Sequence, residues 1–351
     1  MSDIFMGEWS PATPLPESFL DLPATIYRDW PLWPGEDREK VQQQFSLENP
    51  WFNHSKAWIG CITGKTRLAG FLVPHAVDGQ SAAFFGFWET DNDMASNTML
   101  FNALEQWAKK NGAHNLYGPI NFSTFGHYRV RLDHFDVPPF EHEPYNPPYY
   151  SLLLEGLGFD TRYRYTSIFD DTQAVANNFR LDYQRGQKLP DTQATLLPLT
   201  PELWIQEQVR LYSFIDSVFG ENFAYTTPSW ATFQQYCGEA FIKPFCHYPA
   251  SFLAKTDSGE IAGLILSLSV SQNGQPAIGL LKTVAVAPQY RGSRLYHALY
   301  HSYQQSASRI HPRLGGALMR EDNKSLKTAQ RLFNTPASTR HQYALYYRRL
   351  A

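Results

Sequence analysis

The residues with the clearest chemical reading lie between Leu280 and Tyr296. An apolar strand breaks at Pro288, turns through a loop containing Gly292, and passes into an amphipathic helix. A loop ending this way presents backbone N–H groups and the positive pole of a helix dipole, a ready site for a pyrophosphate. Arg291 and Arg294 would add charge-assisted contacts to phosphate oxygens. Gly292 allows close backbone approach, and Gln289 and Ser293 belong to the same loop.

The rest of the chain bounds what such a site can serve. Its 351 residues, 43% hydrophobic and 18% charged, are enough for two globular domains. The 15% aromatic content suggests apolar clefts as well as cores. A net charge of -3 offers no basic excess for a phosphate backbone, so a general nucleic-acid binder is not expected. No apolar run is long enough for a membrane span, and no basic n-region precedes an apolar stretch at the N-terminus. Cys61, Cys237 and Cys246 lack CxxC spacing, and a reducing cytoplasm is the simplest expected location.

Elements that must position the loop follow from periodicity. The first 25 or so residues read as an irregular arm. Residues 58–63 and 67–74 read as a hairpin around Gly64, 82–88 as a buried strand, 95–111 as a helix and 116–118 as a strand. Residues 124–148, crowded with His, Asp, Glu and Pro, read as a long loop. A helix over 149–156 and a strand over 162–169 follow, and the polar stretch 170–191 reads as a linker. The order then repeats: a hairpin over 251–270, a strand over 277–287, a helix over 295–308, a strand over 314–319, a helix over 325–333 and a last strand over 342–348. The expected fold is therefore α/β (α+β), with domains at 1–169 and 192–351 that each hold a central mixed sheet flanked by helices.

Val284, Val286, Pro288, Gln289 and Gly292 resemble the acyl-CoA signature of the GNAT (Gcn5-related N-acetyltransferase) superfamily, with Arg294 at the position of that signature's final small residue. The likeness implies tandem GNAT-like domains and an acetyl-CoA or longer acyl-CoA substrate held by the second half. It also implies direct attack of a small-molecule amine on the thioester, without a metal. In the superfamily an Asn after the next strand bonds the coenzyme, which implicates Asn323, and a Tyr near the end of the following helix protonates the thiolate. Phe333 stands at that Tyr's place, so Tyr343, Tyr346 or Tyr347 on the last strand become the candidate acids. Glu321, at a strand end, is the candidate base. The backbone near Val284–Val286 is the candidate oxyanion donor.

The first half resembles the superfamily in a complementary way. Asn146 precedes a helix and a Leu-Gly-Phe ending, yet residues 87–93 hold three acidic side chains where the phosphate loop should be. Like charge would repel a pyrophosphate there, so this half is expected to keep the fold without the coenzyme site. Asn121 and Ser123, just past a strand end, and Tyr145 and Asn146 are candidate substrate contacts; Asx and ST turns would explain Asn121 and Ser123 equally well. His127, His134 and His142 match no metal-ligand spacing. A non-catalytic ligand- or partner-binding protein is the alternative reading. Transfer from an acyl carrier protein is a third, requiring a basic docking patch.

Overall fold

The structure is a computed structural model that describes residues 3–185, 194–246, 249–272 and 274–350. Contacts divide it into two units: residues 1–164 with 223–226 and 342–351, and residues 165–222 with 227–341.

In the first unit, β1 (Ile4–Glu8), α1 (Glu17–Ile26) and α2 (Arg38–Gln44) precede the antiparallel strands β2 (Ala57–Ile62), β3 (Thr66–Leu72) and β4 (Ala82–Thr90). The expected irregular arm is therefore partly ordered. Asp37 caps α2 through the Lys40 N–H, and α1 buries Phe19, Leu20 and Leu22. The helix α3 (Met94–Lys110) buries Leu100, Phe101, Leu104 and Trp107 at helical spacing. It leads into β5 (Asn115–Gly118), which pairs parallel to β4. The two-residue strand β6 (Val130–Arg131) interrupts the long loop, and α4 (Tyr150–Gly156) ends before the left-handed Gly158.

From β7 (Asp160–Asp171) the chain enters the second unit. The helix α5 (Thr172–Arg185) occupies most of the expected linker; Val175 and Phe179 are buried in the second core, so this stretch is a packed element. Residues 186–193 lie outside the described residues. Then come β8 (Ala194–Pro198), α6 (Pro201–Gln206), α7 (Gln208–Phe219), α8 (Trp230–Tyr236) and α9 (Glu239–Ile242). The strands β9 (Phe252–Thr256), β10 (Ile261–Gln272) and β11 (Gln275–Val286) are antiparallel. The helix α10 (Leu295–Ala307) crosses over to β12 (Arg313–Arg320), parallel to β11. The helix α11 (Lys324–Leu332) and β13 (Thr339–Arg349) complete the chain.

The closing strands depart from the sequence expectation. In the first unit the strand order is β1-β2-β3-β4-β5-β13, and in the second β8-β9-β10-β11-β12-β7. The strand after α4 thus closes the second sheet, and the strand after α11 closes the first. Tyr346 pairs with Gly118 and Arg349 with Asn115, while Ala344, Tyr346 and Leu350 join the first unit's core. Ile168 of β7 belongs to the second core, and Asp170 accepts the Thr335 N–H at 3.1 Å. Residues 342–351 therefore move from the expected C-terminal domain to the first unit.

Candidate functional site

In the second unit, β11 and β12 pair only from Ile278–Arg313 to Leu281–Gly316, although β11 runs on to Val286 and β12 to Arg320. Each strand bulges where the pairing stops. Against β10, β11 carries an extra residue at Lys282; against β7, β12 shifts register between Gly316 and Met319. Leu318 takes a positive φ of 53° there and donates its N–H to Ser167 Oγ at 3.0 Å. Bulges bend a strand and re-aim its groups. The last stretch of β11 is left with one edge not laddered to β12. Lys282, Thr283, Val284 and Val286 are half-buried, while Ala285 and Ala287 are buried. Val284 and Val286 sit at the core's rim with Tyr290, Tyr296 and Met319. Tyr303 fixes the paired part from below, donating to Gly279 O at 2.7 Å.

The loop beyond β11 is open. Arg291, Gly292 and Ser293 are exposed, and Arg294 is half-buried at the start of α10. Gly292 has φ +85°, the left-handed region that favours glycine, and a Cβ there would meet nothing within 4 Å. Fewer loop amides face outward than the sequence suggests. Those of Tyr290, Arg291 and Ser293 bond the carbonyls of Ala287, Pro288 and Tyr290, and the Leu295 N–H reaches Ser293 Oγ at 3.3 Å. The first turn of α10 follows directly, and a helix's first amides find no carbonyl of their own helix to bond. Because β11 and β12 are parallel, this loop and the segment holding Glu321 and Asn323 emerge at the same end of the sheet.

Glu321 is exposed in that segment, beside Asp322, which accepts from Arg320 Nε at 2.5 Å. The Asn323 side chain caps α11 by accepting the Ser325 N–H at 3.2 Å. Phe333 is fully buried. Tyr346 and Tyr347 lie in the first unit with the closing strand. Tyr346 is a core residue of the first unit rather than of the expected C-terminal domain, and burial pushes its hydroxyl up. Tyr347 packs 5.2 Å from Tyr117, and Tyr343 hydrogen-bonds Glu143 in the first unit.

The four candidate substrate residues also belong to the first unit, where each makes a hydrogen bond to the backbone. Asn121 Oδ1 accepts the Phe87 N–H at 2.8 Å. Ser123 Oγ accepts the Phe125 N–H at 3.3 Å, an ST turn. The buried Asn146 accepts the Arg131 N–H at 2.7 Å and donates to Pro147 O at 2.9 Å, holding β6 in place. Tyr145 is half-buried and donates to Phe135 O at 3.2 Å.

The first unit has the same parting of parallel strands, but it is filled. Pairing of β4 with β5 ends at Phe84–Tyr117, β4 bulges near Phe87 (φ 45°), and the chain after β5 fills the space. The Ile120 N–H bonds Phe85 O at 2.7 Å, and a Cβ on Gly86 would collide with Ile120 O. Phe122 packs 4.3 Å from Phe71 and 5.7 Å from Phe87. In place of a phosphate loop, Asp93 caps α3 through the Ala95 N–H and pairs with Lys65 at 3.1 Å.

A second feature missed by sequence reading lies on β4. Glu89 accepts hydrogen bonds from Tyr27 and Tyr150, both at 2.8 Å, and Arg67 on β3 pairs with Glu36 at 2.6 Å. Desolvation pushes the Glu89 carboxyl up to about 7, against the pull of the Arg67 guanidinium. The residues come from five separate segments, so only an acid within an apolar strand could have hinted at it. Burial pushes the Cys237 thiol up to about 12 and that of Cys246 to about 11, which leaves neither a ready nucleophile. Among the described residues, no group of three His, Cys, Asp or Glu is placed to hold a metal, and no helix is long and apolar enough to cross a membrane.

Comparison with solved structures identifies this architecture. A tandem GNAT protein from the clavulanic acid biosynthesis pathway aligns over 99% of both chains, with a TM-score of 0.53 at 13% identity. A probable N-acyltransferase from Enterococcus faecalis V583 aligns over all of this chain and 73% of its own, with a TM-score of 0.55 at 9% identity. The chain therefore has the tandem GNAT fold. By sequence it is 26% identical over 149 residues to Protein YghO of Escherichia coli K12, covering 41% of this chain and 38% of that protein. It is 24% identical over 259 residues to the bacterial ceramide synthase of Caulobacter vibrioides, covering 71% of this chain and 66% of that protein. No family model matches the chain.

Proposed function

We propose that the chain is an acyl-CoA-dependent N-acyltransferase, for acetyl or longer acyl groups, whose thioester site is the unfilled parting of β11 and β12. The observation that carries this reading is the conjunction of a strand edge not laddered to β12 at residues 282–286 with the exposed Gly292 loop and its two arginines. The diphosphate sits at the first turn of α10, held by Arg291 and Arg294. The pantetheine arm lies along the edge of β11, where backbone N–H groups meet the thioester carbonyl and stabilise the oxyanion. Val284, Val286 and Tyr290 give the arm an apolar wall.

A neutral amine attacks the carbonyl carbon, the N–C bond forms, and collapse of the tetrahedral intermediate breaks the C–S bond. Glu321 takes the amine proton through water, and the thiolate leaves to be protonated from solvent. The name of the Caulobacter relative supports an amine acceptor, since a ceramide is an amide of a fatty acid with a long-chain amino alcohol. Thermal melting with coenzyme A and acyl-CoAs of increasing chain length, followed by thiol release with an amine library, tests the proposal. A rise in melting temperature of several degrees and amine-dependent thiol release are expected. Stabilisation without turnover would support a ligand-binding protein instead, and no stabilisation by any coenzyme would remove the thioester site.

A further inference from the structure

Charge is distributed unevenly along this chain. Residues 288–332 contain eight Lys and Arg against two Asp and Glu, within a protein of net charge -3. Part of that excess is on α11, which carries Lys324, Lys327 and Arg331, all exposed, and no acidic residue. At about 100° per residue these three side chains fall within an arc of roughly 60°, and their Cα atoms span roughly 10 Å along the helix axis. The opposite face is fixed by Leu326, Ala329 and Leu332, buried in the second core with Leu295, Leu299 and Tyr303 of α10 and Val175 of α5. The helices α10 and α11 therefore lie in one layer against the sheet. Both begin at the end where β11 and β12 part, so the basic stripe starts beside that opening, as do Arg291 and Arg294.

We propose that this face of α11 docks an acidic acyl carrier protein, which presents its phosphopantetheine thioester to the parting of β11 and β12. The inference rests on the thioester site proposed above and adds a donor to it. Cations one helical turn apart complement a row of carboxylates on a helical partner, and such complementarity raises the association rate and makes it salt-dependent. The acyl step is unchanged: the amine nitrogen bonds the acyl carbon, the C–S bond to the carrier's pantetheine breaks, and the carrier leaves with a free thiol.

The test uses the full chain and a purified bacterial acyl carrier protein loaded with a palmitoyl thioester. Binding is followed by fluorescence anisotropy of the labelled carrier at 50 and 300 mM salt, and turnover is compared with palmitoyl-CoA. The charge-reversed variant K324E/K327E/R331E is expected to lose at least tenfold in carrier affinity and most of the salt dependence, with palmitoyl-CoA turnover within twofold. The milder K324A/K327A should show the same pattern at about threefold, which keeps the test usable if the triple variant melts early. Unchanged carrier affinity in K324A/K327A overturns the proposal. So does an equal loss with both donors, which would assign the stripe to the coenzyme's own phosphates. Carrier binding that depends on α11 without turnover from either donor would retain the docking face and remove the thioester site.

Discussion

The two units use one topological device to opposite ends. In each, a pair of parallel strands separates after a few residues next to a bulge, β4 from β5 and β11 from β12. In the first unit the chain after β5 folds back into the opening, and Asn121 takes the Phe87 N–H. In the second unit β12 continues into the Glu321 turn and α11, and Lys282, Thr283, Val284 and Val286 remain half-buried. The helix beyond the opening differs in the same sense. Asp93 caps α3 with its own carboxylate, whereas arginines precede α10. A shared fold therefore does not imply a shared site; what fills the opening decides whether a ligand can enter.

This contrast can be broken most directly at the arginines. Replacing Arg291 and Arg294 together by alanine removes two charge-assisted contacts worth about 1.5–3 kcal/mol each. Coenzyme A affinity measured by calorimetry should fall at least 100-fold, and unchanged affinity would mean that the second opening is not the diphosphate site. The next largest effect belongs to the first unit. The Glu89 carboxyl lies near 7 when folded and near its ordinary 4.5 when unfolded, so the native state binds the extra proton. Stability on this account is greatest below pH 4.5 and declines as pH rises through 7, by up to about 3 kcal/mol. Denaturant unfolding of Glu89→Gln should lack that decline, while its coenzyme affinity stays within twofold if Glu89 serves only the first unit's packing. A smaller effect sharpens the comparison further. Asn121→Ala leaves the Phe87 amide without its acceptor and should cost about 1–3 kcal/mol of stability. The stabilisation gained from coenzyme should not change; a larger gain would show that the first opening can also be vacated and used.

Much of the architecture was legible. The repeated order of hairpin, strand, helix, strand and helix showed in the periodicity of residues 58–118 and 251–333, because a local pattern of apolar positions fixes a local element. Gly292 was read as allowing close backbone approach; the structure adds a positive φ of 85°, which has few solutions other than glycine. The candidate substrate residues were less so. Asn121 and Asn146 are residue types that bind ligands well, and the same hydrogen-bonding capacity lets them hold the backbone of Phe87 and Arg131 instead. Nothing in their spacing separates those uses. The α5 helix was read as a linker because its composition is polar, and Val175 and Phe179 were too few to signal the burial they achieve.

By itself the sequence determined the segments and the glycine turn after β11, since both depend on residues within a few positions of each other. The tertiary structure alone decided that β7 and β13 close each other's expected sheets, that Tyr346 is packed in the first core, and that the chain after β5 fills the first unit's opening. Strand partnership depends on edges brought together from opposite ends of the chain, and a strand's own alternation is equally satisfied by either sheet.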